Sequence, residues 1–261
     1  MTEEQQKEPC VGIRAEALRQ AFAKSGLDVL VFDTVDSTNN EAKRRAADLS
    51  GGALIVANSQ SAGRGRMGRS FFSPRDTGLY FSLLYPIKGD LQSAVSLTSA
   101  ASVAVMRAIR RVTDKQTAIK WVNDLYLNGK KVCGILTEAM SCGDTRYLII
   151  GIGINLSTVS FPDALVDKAG AIGGEIDKVA LLCAIWEELS PYIRDCSNTA
   201  WLPDYREHSC VLGNYVEWDD GTARRLGKAV GINEKGELEI CAQNGETVVL
   251  RTGEISLFLN F

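Results

Sequence analysis

The segment Gly63–Arg69 carries a concentrated set of chemically useful side chains. In the run GRGRMGR, three arginines are interspersed with three glycines. Glycine lets the backbone approach a ligand closely, and a guanidinium group donates forked hydrogen bonds to oxygen anions. The pattern therefore favours a site for phosphate or carboxylate. A solvated basic loop, or an arginine tract that contacts RNA, is the alternative for such a run taken alone.

A second cluster is the segment Lys120–Leu125, with the sequence KWVNDL. It places a cation, an amide and a carboxylate at the end of a predicted strand, and the hairpin signal Asn128-Gly129 then returns the chain through Lys131. Two lysines that face an acid and the arginine–glycine run suit the phosphates of a nucleotide with a magnesium ion. A charged hairpin on a solvated sheet edge is the alternative interpretation.

Three polar residues, Ser37-Thr38-Asn39, follow the first predicted strand. Such side chains commonly cap a helix N-terminus, and this interpretation competes with a ligand-binding role. The common nucleotide-binding motifs do not apply, because no G-x-x-x-x-G-K-[ST] run occurs and Gly151–Asn155 (GIGIN) lacks the third glycine of a dinucleotide fingerprint. If the protein uses ATP, it uses a less common fold.

The elements that must position these residues alternate between strands and helices. Strands are predicted where apolar, β-branched and aromatic residues cluster, at Asp28–Val35, Ala53–Ala57, Gly78–Tyr85, Ala118–Trp121, Leu125–Leu127, Val132–Leu136 and Tyr147–Asn155. Helices are predicted at Ile13–Lys24, from Asp36 to about Gly52, at Gln92–Arg111, at Ile176–Cys196 with a kink or break at Pro191, and at Trp201–His208. Asn58–Arg75 is predicted as a long loop. The expected fold class is α/β (α+β), a mixed sheet with helices on one side.

The last part of the chain changes character near residues 207–210. From Ser209 onward, short β-like pieces alternate with turn signals at residues 219–221, 234–236 and 244–245, which is typical of a small barrel. We therefore expect two domains, a catalytic domain over residues 1–208 and a small β domain over residues 209–261.

Composition narrows the class of protein. The chain has 261 residues, of which 45% are hydrophobic, and a formal net charge of -3, which argues against disorder and against a general affinity for nucleic acid. The polar start MTEEQQKEPC does not resemble a signal peptide, and no run of about 18 apolar residues predicts a membrane span. The seven cysteines form neither a C-x-x-C pair nor a metal-ligand spacing. A cytoplasmic protein with reduced thiols and no membrane partner is expected.

Five motifs together resemble those of bacterial biotin–protein ligases in their order and approximate spacing. They are Ser37-Thr38-Asn39, Gln60 with Ala62–Arg69, Lys120–Leu125, Lys131–Leu136 and Gly151–Asn155. The resemblance runs from about Val29 to the end of the chain, where Gly253–Leu257 is similar to the family's closing strand. It implies a catalytic domain related to class II aminoacyl-tRNA synthetases, followed by a small SH3-like β-barrel. Two positions depart from the family pattern, with Val122 where proline is usual and Phe71 where tryptophan is usual.

The resemblance implies that the protein adenylates biotin with ATP and Mg²⁺ and transfers it to a lysine of a biotin carboxyl carrier protein. The implied biotin-binding residues are Ser37, Thr38, Asn39, Gln60, Arg64, Gly65, Arg66, Lys131 and Gly134. The implied ATP- and adenylate-binding residues are Arg66, Arg69, Phe71, Lys120, Asn123, Asp124, Lys131 and Asn155. Among these, the implied catalytic residues are Arg66, Lys131, Lys120 and Asp124, and Asp124 is the implied magnesium ligand. A monomer or homodimer that binds no nucleic acid is expected.

Two alternatives remain at this point. A lipoate–protein ligase of the same superfamily would also adenylate a carboxylic acid, although the arginine–glycine loop and the KWVND run argue against it. A biotin-responsive regulator would carry a winged helix–turn–helix. Residues 1–27 hold one predicted helix, and a helix–turn–helix needs at least two packed helices, so we expect no DNA-binding role.

Overall fold

The computed structural model describes residues 12–49, 51–87 and 94–258. Its helices are α1 (Ala15–Ala21), α2 (Thr38–Arg45), α3 (Ala94–Thr113), α4 (Lys178–Arg194) and α5 (Leu202–Glu207). Its strands are β1 (Leu27–Val35), β2 (Gly52–Gln60), β3 (Gly78–Ile87), β4 (Ala118–Lys120), β5 (Asp124–Leu127), β6 (Lys130–Cys142), β7 (Thr145–Asn155), β8 (Tyr215–Asp219), β9 (Arg224–Ile232), β10 (Leu238–Ala242), β11 (Thr247–Leu250) and β12 (Ile255–Phe258).

The larger sheet has seven strands in the order β1-β2-β3-β7-β6-β5-β4. β1 and β2 pair in parallel, and the other neighbouring pairs are antiparallel. The mixed sheet expected from the sequence is therefore confirmed. The hairpin between β5 and β6 turns at Asn128 (φ 51°) and Gly129 (φ 75°), and positive φ at both central residues is what a type I′ turn requires.

The two faces of this sheet carry different side chains, because successive residues of a strand point to opposite faces. On one face, Leu54, Phe81 and Ile150 join a large apolar core that also includes residues of α1, α3 and α4. On the other face, Ile55 packs in a smaller cluster with Ala42 of α2. The expectation of helices on one side is therefore wrong. α2 connects two parallel neighbours, and the handedness of such a crossover fixes the face on which its helix lies.

Helix α2 is shorter than predicted, because it ends at Arg45 rather than near Gly52. Beyond it the backbone tightens, and the N–H of Asp48 donates to the carbonyl of Arg45 at 2.9 Å. Glu41 pairs with Arg44 and Arg45 along the helix, which stabilises even this short element. The next strand, β2, begins at Gly52.

Helix α4 continues through Pro191 and ends at Arg194. Its start is capped by Asp177, whose carboxylate accepts from the N–H groups of Val179 at 2.9 Å and Ala180 at 3.1 Å. Proline cannot donate a backbone hydrogen bond at its own position, and Pro191 lies only three residues before the end of α4, so little helix follows this lost bond. Pro191 thus precedes the end of the helix by one turn instead of breaking it.

The C-terminal strands form a separate antiparallel sheet in the order β11-β10-β9-β8-β12. The turns between them fall at the Gly221, Gly236 and Gly245 signals, each glycine having positive φ. Before this sheet, Ser209 forms a bridge with Ile119 of β4, so the chain passes along the edge of the larger sheet. The division at residues 208 and 209 stays a prediction. Within the described ranges, no helix has the length and apolar character to cross a membrane.

Candidate active site

A cleft of about 470 Å³ opens on the α2 side of the larger sheet. Its walls come from the start of α2, the arginine–glycine loop, the β4–β6 region, β7, the 161–169 loop and residues 253–256. Every residue that the sequence predicted for the site lines this one cleft: Ser37, Thr38, Asn39, Gln60, Arg64, Gly65, Arg66, Arg69, Phe71, Lys120, Asn123, Asp124, Lys131, Gly134 and Asn155. Their individual roles remain predictions.

Glycines form the floor of the cleft. A Cβ atom at Gly151 would lie 2.1 Å from Oδ1 of Asn39, and one at Gly153 would lie 2.6 Å from Cε1 of Phe71. Gly134 pairs with Gly153 across β6 and β7, and a Cβ there would lie 3.1 Å from Cε of Lys131. Side chains at these positions would take the space of groups predicted to bind ligand.

The end of the cleft beside α2 holds a network of uncharged groups. Oε1 of Gln60 accepts from the backbone N–H of Thr38 at 2.8 Å and from its hydroxyl at 3.2 Å. The buried hydroxyl of Ser82 lies 2.7 Å from Oγ1 of Thr38 and 2.6 Å from Oδ1 of Asn39. Thr38, Asn39, Gln60 and Ser82 are termed the neutral end.

Ser37 occupies the N-cap position of α2 without capping it. Its side chain makes no hydrogen bond to the first turn, although the residue is only 2% exposed. Helix capping is therefore not the role of this hydroxyl. Because it lines the cleft, it is placed to meet a ligand.

Sequence reasoning missed Glu138, which lies directly behind the neutral end. Its Oε2 accepts from Nδ2 of Asn39 at 2.8 Å, and its Oε1 pairs with Nζ of Lys43 at 2.7 Å. Burial raises the pKa of the Glu138 carboxyl, but the hydrogen bonds from Lys43 and Asn39 outweigh burial and hold that pKa below its usual range. The carboxylate engages the amide nitrogen of Asn39, so Oδ1 of Asn39 faces Ser82 and Gly151.

The arginine–glycine loop is a compact hairpin. The N–H of Gly65 donates to the carbonyl of Arg69 at 2.7 Å, and the N–H of Arg69 donates to the carbonyl of Arg66 at 3.1 Å. Met67 (φ 54°) and Gly68 (φ 75°) form the tip in the left-handed region. Glycine suits Gly68 because the left-handed conformation costs it little.

Arg64 and Arg66 leave this loop in different directions. Nη1 of Arg64 donates to Oδ1 of Asn40 at 3.0 Å and lies 3.6 Å from Oε1 of Glu138. Nη1 of Arg66 donates to Oδ1 of Asn123 at 3.4 Å. Arg64 therefore lies toward the neutral end, and Arg66 lies toward the lysines.

The other end of the cleft is charged, and its members are Arg66, Lys120, Asn123, Asp124 and Lys131, which are termed the charged end. Nζ of Lys131 lies 2.7 Å from Oδ1 of Asp124, and Nζ of Lys120 lies 5.8 Å from the centre of the Tyr126 ring. Burial lowers the pKa of the Arg66 guanidinium and of the Lys120 ammonium, and attraction to Asp124 only partly offsets burial. Partly desolvated cations of this kind are stabilised by an anionic ligand.

Phe71 and Asn155 line the cleft beside the floor glycines. The Phe71 ring meets Tyr80 edge to face, with centroids 6.4 Å apart. Nδ2 of Asn155 donates to the carbonyl of Gly170 at 3.0 Å. Among the described residues, no group donates to Oδ1 of Asn155, although this atom is buried. An amino group on a ligand would satisfy it.

Two further segments of the cleft carried no sequence signal for a site. The 161–169 loop has no periodic pattern, yet Phe161, Leu165 and Lys168 line the cleft. Residues 253–256 come from the C-terminal part of the chain, and Glu254 forms an ion pair with Arg69 of the arginine–glycine loop. Contacts between residues so distant in sequence depend on the fold and are not encoded locally.

The described residues of the cleft do not form a metal site made of protein ligands alone. Across residues 12–49, 51–87 and 94–258, no three His, Cys, Asp or Glu side chains are grouped to hold a metal ion. A nucleotide-bound Mg²⁺ usually takes one or two protein carboxylates, and phosphate and water oxygens supply its other ligands. Asp124 in the charged end fits that pattern, whereas a fully protein-bound metal does not.

Comparison with known proteins identifies the family. Residues 31–155 match the model of the biotin/lipoate A/B protein ligase family. The bifunctional ligase/repressor BirA of Bacillus spizizenii is 35% identical over 231 residues, which cover 84% of this chain and 71% of that protein. The biotin–[acetyl-CoA-carboxylase] ligase of Paracoccus denitrificans is 34% identical over 233 residues, which cover 82% of this chain and 94% of that protein. The chain belongs to the biotin/lipoate A/B protein ligase family.

A solved structure agrees with this assignment. The biotin protein ligase from Aquifex aeolicus in complex with biotin and ATP matches with a TM-score of 0.74 and 29% sequence identity. The match covers 88% of this chain and 98% of that chain. The agreement extends over both sheets of the fold.

Proposed function

We propose that the protein is an ATP-dependent biotin–protein ligase. It adenylates biotin to biotinyl-5′-AMP and transfers biotin to one lysine of a biotin carboxyl carrier protein of a biotin-dependent carboxylase. The observation that carries this proposal is the joining of the neutral end and the charged end in one cleft. Such a cleft suits a ligand that has a polar, uncharged head and a carboxylate tail.

The neutral end suits the ureido ring of biotin, which presents two N–H donors and one carbonyl acceptor. Oδ1 of Asn39 and Oγ1 of Thr38 supply acceptors, and the hydroxyl of Ser37, which does not cap α2, supplies a donor. The dithiolane ring of lipoate has no comparable hydrogen-bonding edge. A site built from buried polar groups rejects an analogue that leaves them unpaired.

The first step joins two anions, so its chemistry is mainly charge neutralisation. The biotin carboxylate attacks the α-phosphate of ATP, pyrophosphate leaves, and no general base is needed because the carboxylate is already ionised. Lys131 is proposed to bridge carboxylate and α-phosphate, and Arg66 and Lys120 to stabilise the charge that develops on the phosphate oxygens. Arg64, Gly65 and Arg69 complete the anion contacts.

The nucleotide is proposed to bind on the side of Phe71 and Asn155. Phe71 offers an aromatic face to adenine, and Oδ1 of Asn155 is an acceptor for its exocyclic amino group. Asn123 and Asp124 lie on the phosphate side, and Gly134 contributes backbone to the biotin site. Asp124 would hold the Mg²⁺ that accompanies ATP, and the ion would supply further charge neutralisation at the phosphates.

In the second step the carrier amine attacks the biotinyl carbonyl carbon and AMP leaves. This attack needs a neutral amine, but a carrier lysine has an unperturbed pKa of about 10.4. Cations of the charged end would favour the neutral amine by repulsion. Asp124, which lies 2.7 Å from Lys131, is a candidate to accept the amine's proton. If Asp124→Asn transfers biotin from preformed biotinyl-5′-AMP at the wild-type rate across pH, this proton-accepting role is wrong.

The cytoplasm is the proposed location, because the substrate carrier and ATP are intracellular.

One pair of titrations distinguishes biotin–protein ligation from the alternative activity, lipoate–protein ligation. Isothermal titration should show heat for biotin and none for lipoate. The decisive assay incubates the protein with ATP, magnesium, biotin and a carrier domain, and the carrier should gain the mass of one biotinyl group. A carrier that gains no mass, or one that gains a lipoyl group when lipoate replaces biotin in the same assay, would overturn the proposal.

A further inference from the structure

The segment Trp121–Asn123 joins Lys120 to Asp124, and three separate elements hold it. The indole Nε1 of Trp121 donates to the carbonyl of Gly236 at 3.0 Å, in the β9–β10 turn of the C-terminal sheet. The hydroxyl of Tyr205 in α5 donates to the carbonyl of Val122 at 3.0 Å. Nδ2 of Asn123 donates to the carbonyl of Ile135 at 2.6 Å.

The C-terminal contact is tightly built. Gly236 has φ +80°, and a Cβ atom there would lie 2.8 Å from Cη2 of Trp201. Trp201 in turn meets the Tyr205 ring edge to face, with centroids 5.6 Å apart. Trp121, Trp201 and Tyr205 are all buried. The β9–β10 turn and α5 therefore form one packed support behind the charged end.

We propose that Trp121 and Tyr205 are positioning residues for adenylation. Through them, the β9–β10 turn of the C-terminal sheet and α5 hold the side chains of the charged end in place. This inference rests on the proposed function. Neither the Trp121 donor nor the Tyr205 hydroxyl has its partner in the neutral end. Their loss should therefore displace Lys120, Asn123 and Asp124 while leaving biotin recognition intact. A misplacement of about 1 Å at such groups costs roughly 10²-fold in rate.

The test uses two conservative variants of the full chain and one control. Trp121→Phe keeps an aromatic ring but removes the donor to Gly236, and Tyr205→Phe removes only the hydroxyl that bonds Val122. Tyr192→Phe is the matched control, because Tyr192 is also buried and its hydroxyl accepts from Arg107 at 3.2 Å, away from the cleft. Biotin-dependent pyrophosphate release gives kcat and the KM for ATP, and isothermal titration gives the biotin Kd.

We expect Trp121→Phe and Tyr205→Phe to lower kcat by about 10-fold to 100-fold, with the biotin Kd within twofold of wild type. Tyr192→Phe should keep the wild-type kcat. A wild-type kcat in Tyr205→Phe would overturn the inference. A loss of biotin affinity as large as the loss of kcat would also overturn it. If Trp121→Phe fails to fold, Tyr205→Phe alone provides the test. An inactive wild-type protein would refute the proposed function instead, so the two failures are distinguishable.

Discussion

The neutral end and the charged end of the cleft differ in how far the protein satisfies its own polar groups. At the neutral end, Thr38, Asn39, Gln60 and Ser82 bond to one another at 2.6–3.2 Å. At the charged end, Lys131 has a carboxylate partner in Asp124, while burial lowers the pKa of both Arg66 and Lys120. The neutral end is thus complete without ligand, and the charged end is not.

The difference shows how one cleft can bind and react. A preformed hydrogen-bonding network costs little to reorganise when a ligand enters, so it favours selective binding. Desolvated cations are unfavourable until an anion arrives, and they stabilise the negative charge that builds up during reaction. Substitutions at the charged end are therefore expected to reduce the rate of adenylation, whereas substitutions at the neutral end should reduce biotin affinity.

The largest effect is expected for Lys131→Ala. Loss of a positioned charge contact in a transition state costs about 2.7–4 kcal/mol, or roughly 10²–10³ in rate. Biotin-dependent pyrophosphate release should fall by that factor, while the thermal unfolding midpoint stays near wild type because Lys131 is partly exposed. Lys130→Ala is the control, since Lys130 is exposed and its ammonium group donates to the carbonyl of Val166 at 2.9 Å. A near-wild-type rate in Lys131→Ala would remove Lys131 from the site.

Gly151→Ala tests the floor beneath the neutral end. Its Cβ would lie 2.1 Å from Oδ1 of Asn39, so the amide must move and buried groups lose their partners. Each such group costs about 1–3 kcal/mol, which corresponds to biotin binding weaker by roughly 5-fold to 150-fold. Gly51→Ala meets no atom within 4 Å and should bind biotin as wild type does. Equal titration curves for the two variants would show that Asn39 is not held by the floor.

Ser82→Ala should have a smaller effect of the same kind. It removes the donor shared by Thr38 and Asn39, and a hydrogen bond contributes about 1 kcal/mol, or roughly fivefold in affinity. Ser102→Ala is the matched control, because that hydroxyl is also buried but bonds the carbonyl of Thr98 within α3. Both variants should lose similar stability, but Ser82→Ala alone should raise the biotin Kd. A parallel rise in Ser102→Ala would indicate a general effect of core polarity.

The smallest effect concerns pH. Burial lowers the pKa of the Lys120 ammonium, so this group loses its proton at a lower pH than an ordinary lysine. If its charge supports adenylation, kcat/KM for ATP should decline as pH rises through that pKa. Arginine stays protonated, so Lys120→Arg should move the alkaline limb to higher pH even if its maximal rate is lower. Superimposable alkaline limbs would assign the titration to another group.

Much of the fold could be predicted because its signals are local. The Asn128-Gly129 turn fixed the β5–β6 hairpin, and the glycine signals at residues 221, 236 and 245 separated the C-terminal strands. The face covered by α2 could not be predicted, because the handedness of the β1–α2–β2 connection fixes that face only once the parallel pairing and the strand order are known. Apolar periodicity identifies which side of a helix is buried but not which sheet face it covers.

The residues of the site likewise divide into those that a sequence motif indicates and those that only the fold brings together. Motif residues such as Thr38, Lys120 and Lys131 were found because their motifs together resemble those of biotin–protein ligases, and all line the cleft. Glu138 was missed because a single acid in a strand has no distinguishing pattern. Glu254 was missed because its pairing with Arg69 joins residues 185 positions apart in the chain.

The most direct test of the two-ended cleft is native mass spectrometry of the protein after incubation with biotin, ATP and magnesium but no carrier. Wild type should retain one biotinyl-5′-AMP per chain. Lys131→Ala should retain biotin without adenylate, because its neutral end is intact and its charged end is not, and Gly151→Ala should retain little of either ligand. Biotinyl-5′-AMP accumulating on Lys131→Ala as fast as on wild type would contradict the assignment of binding and reaction to separate ends.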